Sequence, residues 1–236
     1  MQLPRETRLL LVLAAILVSS AIVAEVVAVK LFEVPFYAFL GWSKTFTLTC
    51  GSLVWPLVFL TTDTINEFYG RRAVRFVTWV TMAMITWTFV ITTLSIQIPA
   101  VSYSPVGDEP FGAVFGQSAW IIVGSMAAFL VSQLVDVTVF HAVRRALGGR
   151  HIWARATGST IVSQLIDSFV VIWIAFWLPG KVDAATALDI SISGFTYKVG
   201  MAVALTPIVY LTHSAVHRWL GHNRATELAD MAASTS

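Results

Sequence analysis

A chain of 236 residues is long enough for one or two soluble domains, but 57% of its residues are apolar and only 12% are charged, about half the charged share of a soluble domain. With a mean hydropathy of +0.77, the chain belongs in a bilayer. A net charge of +2 is too small for a nucleic-acid surface, and the single Cys50 excludes an intrachain disulfide, a Cys-rich metal site and an iron-sulfur cluster.

A helix needs about 20 mostly apolar residues to cross the hydrocarbon core. Six segments meet that requirement, at 9–29, 47–69, 74–98, 118–141, 154–177 and 190–212. These runs are far longer than the ~10-residue alternating segments of a membrane strand. The expected fold class is therefore all-α, a polytopic membrane protein with six transmembrane helices in one bundle. Residues 1–225 form one domain, and 226–236 form a short, polar, frayed cytoplasmic tail. The first span is flanked by Arg5 and Arg8 at one end and Lys30 at the other, which suits a permanent helix better than a cleaved signal. Loop 99–117 has three prolines, three glycines, the aromatics Tyr103, Phe111 and Phe115 and no basic residue, the content of a structured external cap.

Basic residues set the orientation, because cytoplasmic loops carry the excess of Lys and Arg. Arg5 and Arg8, then Arg71, Arg72 and Arg75, then Arg144, Arg145, Arg150 and Arg155, and finally Arg218 and Arg224 lie on one side; Lys30, Lys44 and Lys181 lie on the other. Both termini are expected in the cytoplasm.

Ionisable groups inside a span are costly, about 2.5–3.5 kcal/mol each at the helix centre on insertion scales, so they face a bundle interior or a wet cavity. In the second span Asp63, Asn66, Glu67 and Gly70 share one helical stripe. Glu67 is less than a turn from Arg71 and Arg72, and an interfacial charge explains it as well as a site does. The fourth span carries Ser132-Gln133-Leu134-Val135-Asp136, echoed in the fifth as Ser163-Gln164-Leu165-Ile166-Asp167. In both copies Gln and Asp are three apart and point the same way. The two pairs are expected to meet at similar depth, as a site or as polar glue between helices. The sixth span adds Tyr197 and Lys198, with Pro207, Tyr210 and His213 nearer the cytoplasm. Four acidic side chains against Lys198 leave a charge excess to be relieved by protonation, by the boundary arginines or by a bound cation. Glu25, near Lys30 and Glu33, is read as interfacial. His141, His151, His217 and His222 are read as margin or tail residues without the His-x-x-x-His pairing of a membrane zinc site, and His213 as an interface histidine worth attention. No cofactor and no metal site is expected. With no phosphate loop, nucleophile elbow or protease pairing, the chain is not expected to be an enzyme, and a solute pathway is the economical reading.

The run from Thr62 through Asp63, Asn66, Glu67 and Gly70 to Arg72, the two Ser-Gln-Leu-x-Asp motifs with Val137, Phe140, Ser159 and Thr160, and Tyr197-Lys198 with Thr206-Pro207 and Tyr210 together resemble the queuosine precursor transporters of the vitamin uptake transporter family. The likeness extends over five of the six spans. It implies a bacterial cytoplasmic (inner) membrane protein that imports cyano-deazaguanine or a related deazapurine for tRNA modification. It also implies a helix arrangement like that of the substrate-binding components of vitamin importers. The implied partners are a small deazaguanine and the lipid bilayer, without nucleic acid; a homodimer is left open.

The chemistry of the residues suits such a ring. Adjacent ring N–H and amine donors fit one carboxylate fork, and Gln, Asn or Lys can donate to the neighbouring carbonyl. The expected binding set is Asp63, Asn66, Gln133, Asp136, Gln164, Asp167, Tyr197 and Lys198, with Glu67 and His213 as coupling or gating residues. Of the two aspartates, Asp167 is favoured as the reader of the donor edge. The alternative is a binding subunit, or a carrier for another vitamin or nucleobase, that needs a separate energising module.

Overall fold

The computed structural model describes residues 3–36, 44–116, 119–146 and 152–234. Arg150, His151, Gln117 and Ser118 lie outside the described residues, as do the side chains of Glu33, Arg144, Arg155, Ser159 and Thr160. Helix α1 (Arg5–Val27) is followed by an antiparallel pair, β1 (Leu31–Phe36) and β2 (Lys44–Thr49), registered Leu31 to Thr49 and Phe36 to Lys44. The chain is predominantly helical, as expected of an all-α membrane protein, and this small strand pair sits among the helices. The Thr-Phe-Thr-Leu-Thr alternation from Thr45 is a strand pattern. A span beginning at residue 47 instead begins after the short 3₁₀ turn Cys50–Leu53, with Pro56 in the first turn of the next helix.

That helix, α2 (Trp55–Ile96), is a hairpin of two arms, 55–69 and 71–96, broken at Gly70 with φ 76° and ψ 179°. Only glycine adopts that backbone without strain. The break lies beside the amino end of α1, where the Tyr69 hydroxyl donates to the Glu6 carbonyl at 2.7 Å. The far ends of both arms lie beside its carboxyl end. Cys50 N–H donates to the Lys30 carbonyl at 2.8 Å, and Thr88, Phe89 and Thr92 share a small void with Val26. The core follows from this reversal: Leu13, Leu17 and Ala21 of α1 pack with Val58 and Ile65 of one arm and Val77 and Ile85 of the other.

Loop 99–117 contains α3 (Asp108–Phe115), whose Phe111 and Phe115 rings pack at 4.7 Å. Helices α4 (Ala119–Ala146) and α5 (Ile152–Ile172) are antiparallel, with Ser163 level with Asp136. A Cβ on Gly124 would fall 3.0 Å from the Ala175 backbone nitrogen, so glycine there favours the close approach of α4 to the π-helical turn Trp173–Trp177 that continues α5. The last apolar segment is two helices, α6 (Ala184–Ala204) and α7 (Thr206–Leu220), bent by 45° where Pro207 starts the second. Asp183 caps α6 by accepting from Thr186 N–H at 2.8 Å, and this hydrogen bond holds its carboxyl below the usual carboxylate range.

Among the described residues, α1, α2 and Ile121–Val143 of α4 are long and apolar enough to cross a membrane, and the bent α6–α7 pair adds a fourth candidate. The expectation of a frayed tail is corrected. Residues His222–Ser234 form helix α8, which buries Ala225 and Ala232. Ala232 covers the Gly70 break, where a Cβ would meet its carbonyl oxygen at 3.2 Å. Arg224 ties α8 to the amino terminus by donating to Glu6 at 2.9 Å.

Candidate functional site

A cavity of about 550 Å³ lies between α1, α4, α5 and α6 on the side opposite the arginine-rich ends, with Ala113 and Gly116 of the α3 segment in its wall. Its polar lining consists mainly of Glu25, Ser125, Asp167, Ser168, Lys181 and Lys198, and Trp55 and Phe176 supply aromatic surface. Lys198 donates to Asp167 Oδ2, so the buried ammonium of the last span has the acidic partner its position requires. Ser125 donates to Glu25 Oε2 at 2.5 Å. The Lys181 ammonium sits over the Phe176 ring, 6.0 Å from its centroid.

The reading of Glu25 as an interfacial charge is corrected, because it is 5% exposed and lines the cavity. Lys181, counted with the outer loop, lines it too. Two carboxylates therefore face two ammonium groups. The sequence signal for Glu25 was its place inside an apolar run; the nearby lysine disguised it.

The remaining expected residues lie elsewhere. Asp63, Asn66, Gln133, Asp136 and Gln164 are buried but do not line this cavity. They form a polar layer nearer the arginine-rich side. Gln133 Nε2 donates to Thr62 Oγ1 at 3.5 Å, and Ser163 Oγ donates to Asp136 Oδ1 at 3.2 Å. Asp136 and Glu67 are the charged neighbours of Asp63. Asn66 is fully buried with neither amide atom hydrogen-bonded, and Asp63 Oδ1, Gln133 Oε1 and Gln164 Oε1 likewise have no partner among the described residues.

The antiparallel register explains the split. Each motif places Asp three residues after Gln, but α4 runs toward the arginine-rich side and α5 away from it, so the aspartates diverge. With Ser163 level with Asp136, Asp167 stands four residues further out, about 6 Å at 1.5 Å per residue. In this register Gln133 and Gln164 differ by two residues, about 3 Å, and the aspartates by four, so the expectation of one shared depth fails for the aspartates.

Toward the arginine-rich end Phe68 packs against His213 at 5.4 Å and His217 at 5.7 Å. The two histidine rings stack at 4.4 Å, and His217 Nδ1 lies 3.2 Å from His222 Nδ1. His213 and His217 are thus a His-x-x-x-His pair that the sequence reading missed. Among the described residues no group of three or more His, Cys, Asp or Glu is placed to hold a metal ion. Glu67 is buried at this end, and Tyr197 is half-buried away from the cavity lining.

Long apolar helices around a polar, charge-balanced cavity define an integral membrane protein of the solute-carrying kind. The family described as "Putative vitamin uptake transporter" matches residues 49–212, and the chain belongs to it. It is 36% identical over 166 residues to the "Probable queuosine precursor transporter" of Bacillus subtilis (strain 168), covering 70% of each chain. It is 27% identical over 163 residues to the "Queuosine precursor transporter" of Escherichia coli (strain K12), covering 67% of this chain and 69% of that one. A third relative, the "Probable queuosine precursor transporter" of Haemophilus influenzae (strain ATCC 51907 / DSM 11121 / KW20 / Rd), is 30% identical over 135 residues, 56% of this chain and 54% of its own. No solved structure matches.

Proposed function

We propose that this protein imports a queuosine precursor, cyano-deazaguanine or a related deazapurine, across a bacterial inner membrane. The observation that carries the reading is the cavity in which the Asp167–Lys198 pair faces Trp55 and Phe176, in a chain whose relatives bear that substrate in their names. A cavity of about 550 Å³ suits a small heterocycle. Lys198, held by Asp167, donates to the ring carbonyl, while the aromatic side chains cover the ring faces. Asp63, Asn66, Gln133, Asp136 and Gln164 form the polar stretch that the solute crosses on its way inward, and Tyr197 borders that route. Glu67 and His213 gate the cytoplasmic end. Counting the arms of α2 separately, and α5 with its π-helical turn as one, supports a reading of six spans, and the excess of arginine supports both termini in the cytoplasm.

The test is complementation of a strain that cannot synthesise the precursor, scored by queuosine in its tRNA at limiting external cyano-deazaguanine. Restored queuosine is expected. Good membrane expression without queuosine, together with binding of an unrelated vitamin by the purified protein, overturns the substrate. Uptake by liposomes containing this chain alone is expected of a carrier that needs no energising module.

A further inference from the structure

We propose that Glu25 is a substrate-binding residue, the carboxylate that reads the two-donor edge of the deazaguanine; the inference rests on the import reading above. A guanine-type ring presents an exocyclic amine and a ring N–H side by side, followed by a carbonyl. Its complement is a carboxylate beside an ammonium. The cavity holds that pair of groups. Glu25 and Lys198 both line it, and each lies within electrostatic range of the other.

Between the two cavity carboxylates, geometry favours Glu25. Asp167 Oδ2 accepts from Lys198, which fixes the ammonium rather than the ring. The Ser125 hydroxyl of α4 donates to Glu25 Oε2. A carboxylate has about four lone-pair positions, so that bond leaves the forked contact with two donors geometrically compatible. The position is also a costly one for a merely interfacial charge. Glu25 is 5% exposed, two residues before the end of α1, and turned inward. It lies outside residues 49–212, the segment that matches the family, so the part of the site that reads the amine comes from the part of the chain the family pattern does not describe.

The test uses the purified full chain and two probes, cyano-deazaguanine and the same ring without its exocyclic amine, cyano-deazahypoxanthine. Losing one hydrogen bond to a charged group weakens binding about 10- to 100-fold, so wild-type protein is expected to prefer the amine-bearing ring by that factor. Glu25→Gln is expected to bind cyano-deazaguanine more weakly and to reduce the preference to less than about threefold. Retention of the wild-type preference by Glu25→Gln, or an equal loss of affinity for both rings, overturns the role. Glu25→Asp keeps the charge but withdraws it by one methylene, and serves where Glu25→Gln does not accumulate. It is expected to weaken cyano-deazaguanine more than the analogue, and unchanged binding of both rings overturns the proposal. Wild-type protein that binds cyano-deazaguanine without discriminating between the rings overturns this inference and leaves the import reading standing, whereas wild-type protein that binds neither ring overturns both.

Discussion

The outer cavity and the inner polar layer use similar side chains to different ends. In the cavity each carboxylate is held, Asp167 by Lys198 and Glu25 by Ser125, around an open volume of about 550 Å³. In the inner layer Asn66, Asp63, Gln133 and Gln164 are packed among helices with polar atoms that find no protein partner among the described residues. The first arrangement orients its polar groups around open space, as binding a solute requires. The second is expensive, because a buried polar atom left without a hydrogen bond costs about 1–3 kcal/mol. A protein keeps such a layer when a passing solute or a second conformation supplies the missing bonds.

The largest expected effect comes from breaking the cavity pair. Lys198→Met leaves Asp167 uncompensated beside Glu25, and removing one member of a buried pair costs about 3–5 kcal/mol. Uptake is expected to fall below a hundredth of wild type, or about 2.7 kcal/mol, while immunoblotting still finds the protein in the membrane. Adding Asp167→Asn is expected to restore thermal stability in detergent without restoring uptake. Wild-type uptake by Lys198→Met removes the cavity from the transport route.

A smaller loss is expected where the inner layer is shaped. Gly70→Ala forces a side chain into φ 76° and against Ala232, a strain of about 1–3 kcal/mol. Lower thermal stability is expected, with the affinity of the folded fraction unchanged because Gly70 does not line the cavity. A selective loss of affinity at constant stability would show that the two layers are coupled.

Asn66→Leu sharpens the contrast in the opposite direction. Replacing a buried, unpartnered amide by an apolar group of similar size removes the desolvation cost, so thermal stability is expected to rise by about 1–3 kcal/mol or less. Binding is expected to stay within about threefold, under 1 kcal/mol, while the uptake rate drops. Equal loss of binding and uptake would move Asn66 into the binding site itself.

The smallest effect belongs to Asp183, outside both layers. Its carboxyl is held below its ordinary value by the Thr186 hydrogen bond. A carboxyl lowered by folding contributes stability above its unfolded value, about 3.9, and that contribution disappears as pH falls through the lower folded value. Asp183→Asn keeps a capping oxygen without a titrating group. Melting followed from pH 5 downward is expected to show slightly less acid sensitivity in the variant, with substrate affinity at neutral pH unchanged.

Much of this arrangement was legible in the residues. The six apolar runs and the arginine asymmetry are local properties, and the Ser-Gln-Leu-x-Asp echo is a matter of spacing. Lys198 needed an acidic partner wherever the chain took it. Other features were hidden by proximity in sequence. Lys30 made Glu25 look interfacial, polar residues at helical spacing on several spans made one site look continuous, and the tail's small side chains suggested fraying where α8 packs Ala232 onto Gly70. The His213–His217 pair was present in the spacing and overlooked.

The sequence by itself determined that this is a helical membrane protein and which side chains are too costly to face lipid, because hydropathy and helical period depend only on residues near one another; the family showed in the spaced motifs. Tertiary structure alone decided which costly groups share a cavity. That choice depends on the antiparallel register of α4 and α5, which sends the two aspartates to different depths, and on the reversal at Gly70, which packs both arms of α2 against α1. Glu25, inside the apolar run of α1, becomes part of the cavity wall only when Ser125 of α4, a hundred residues later, is laid against it.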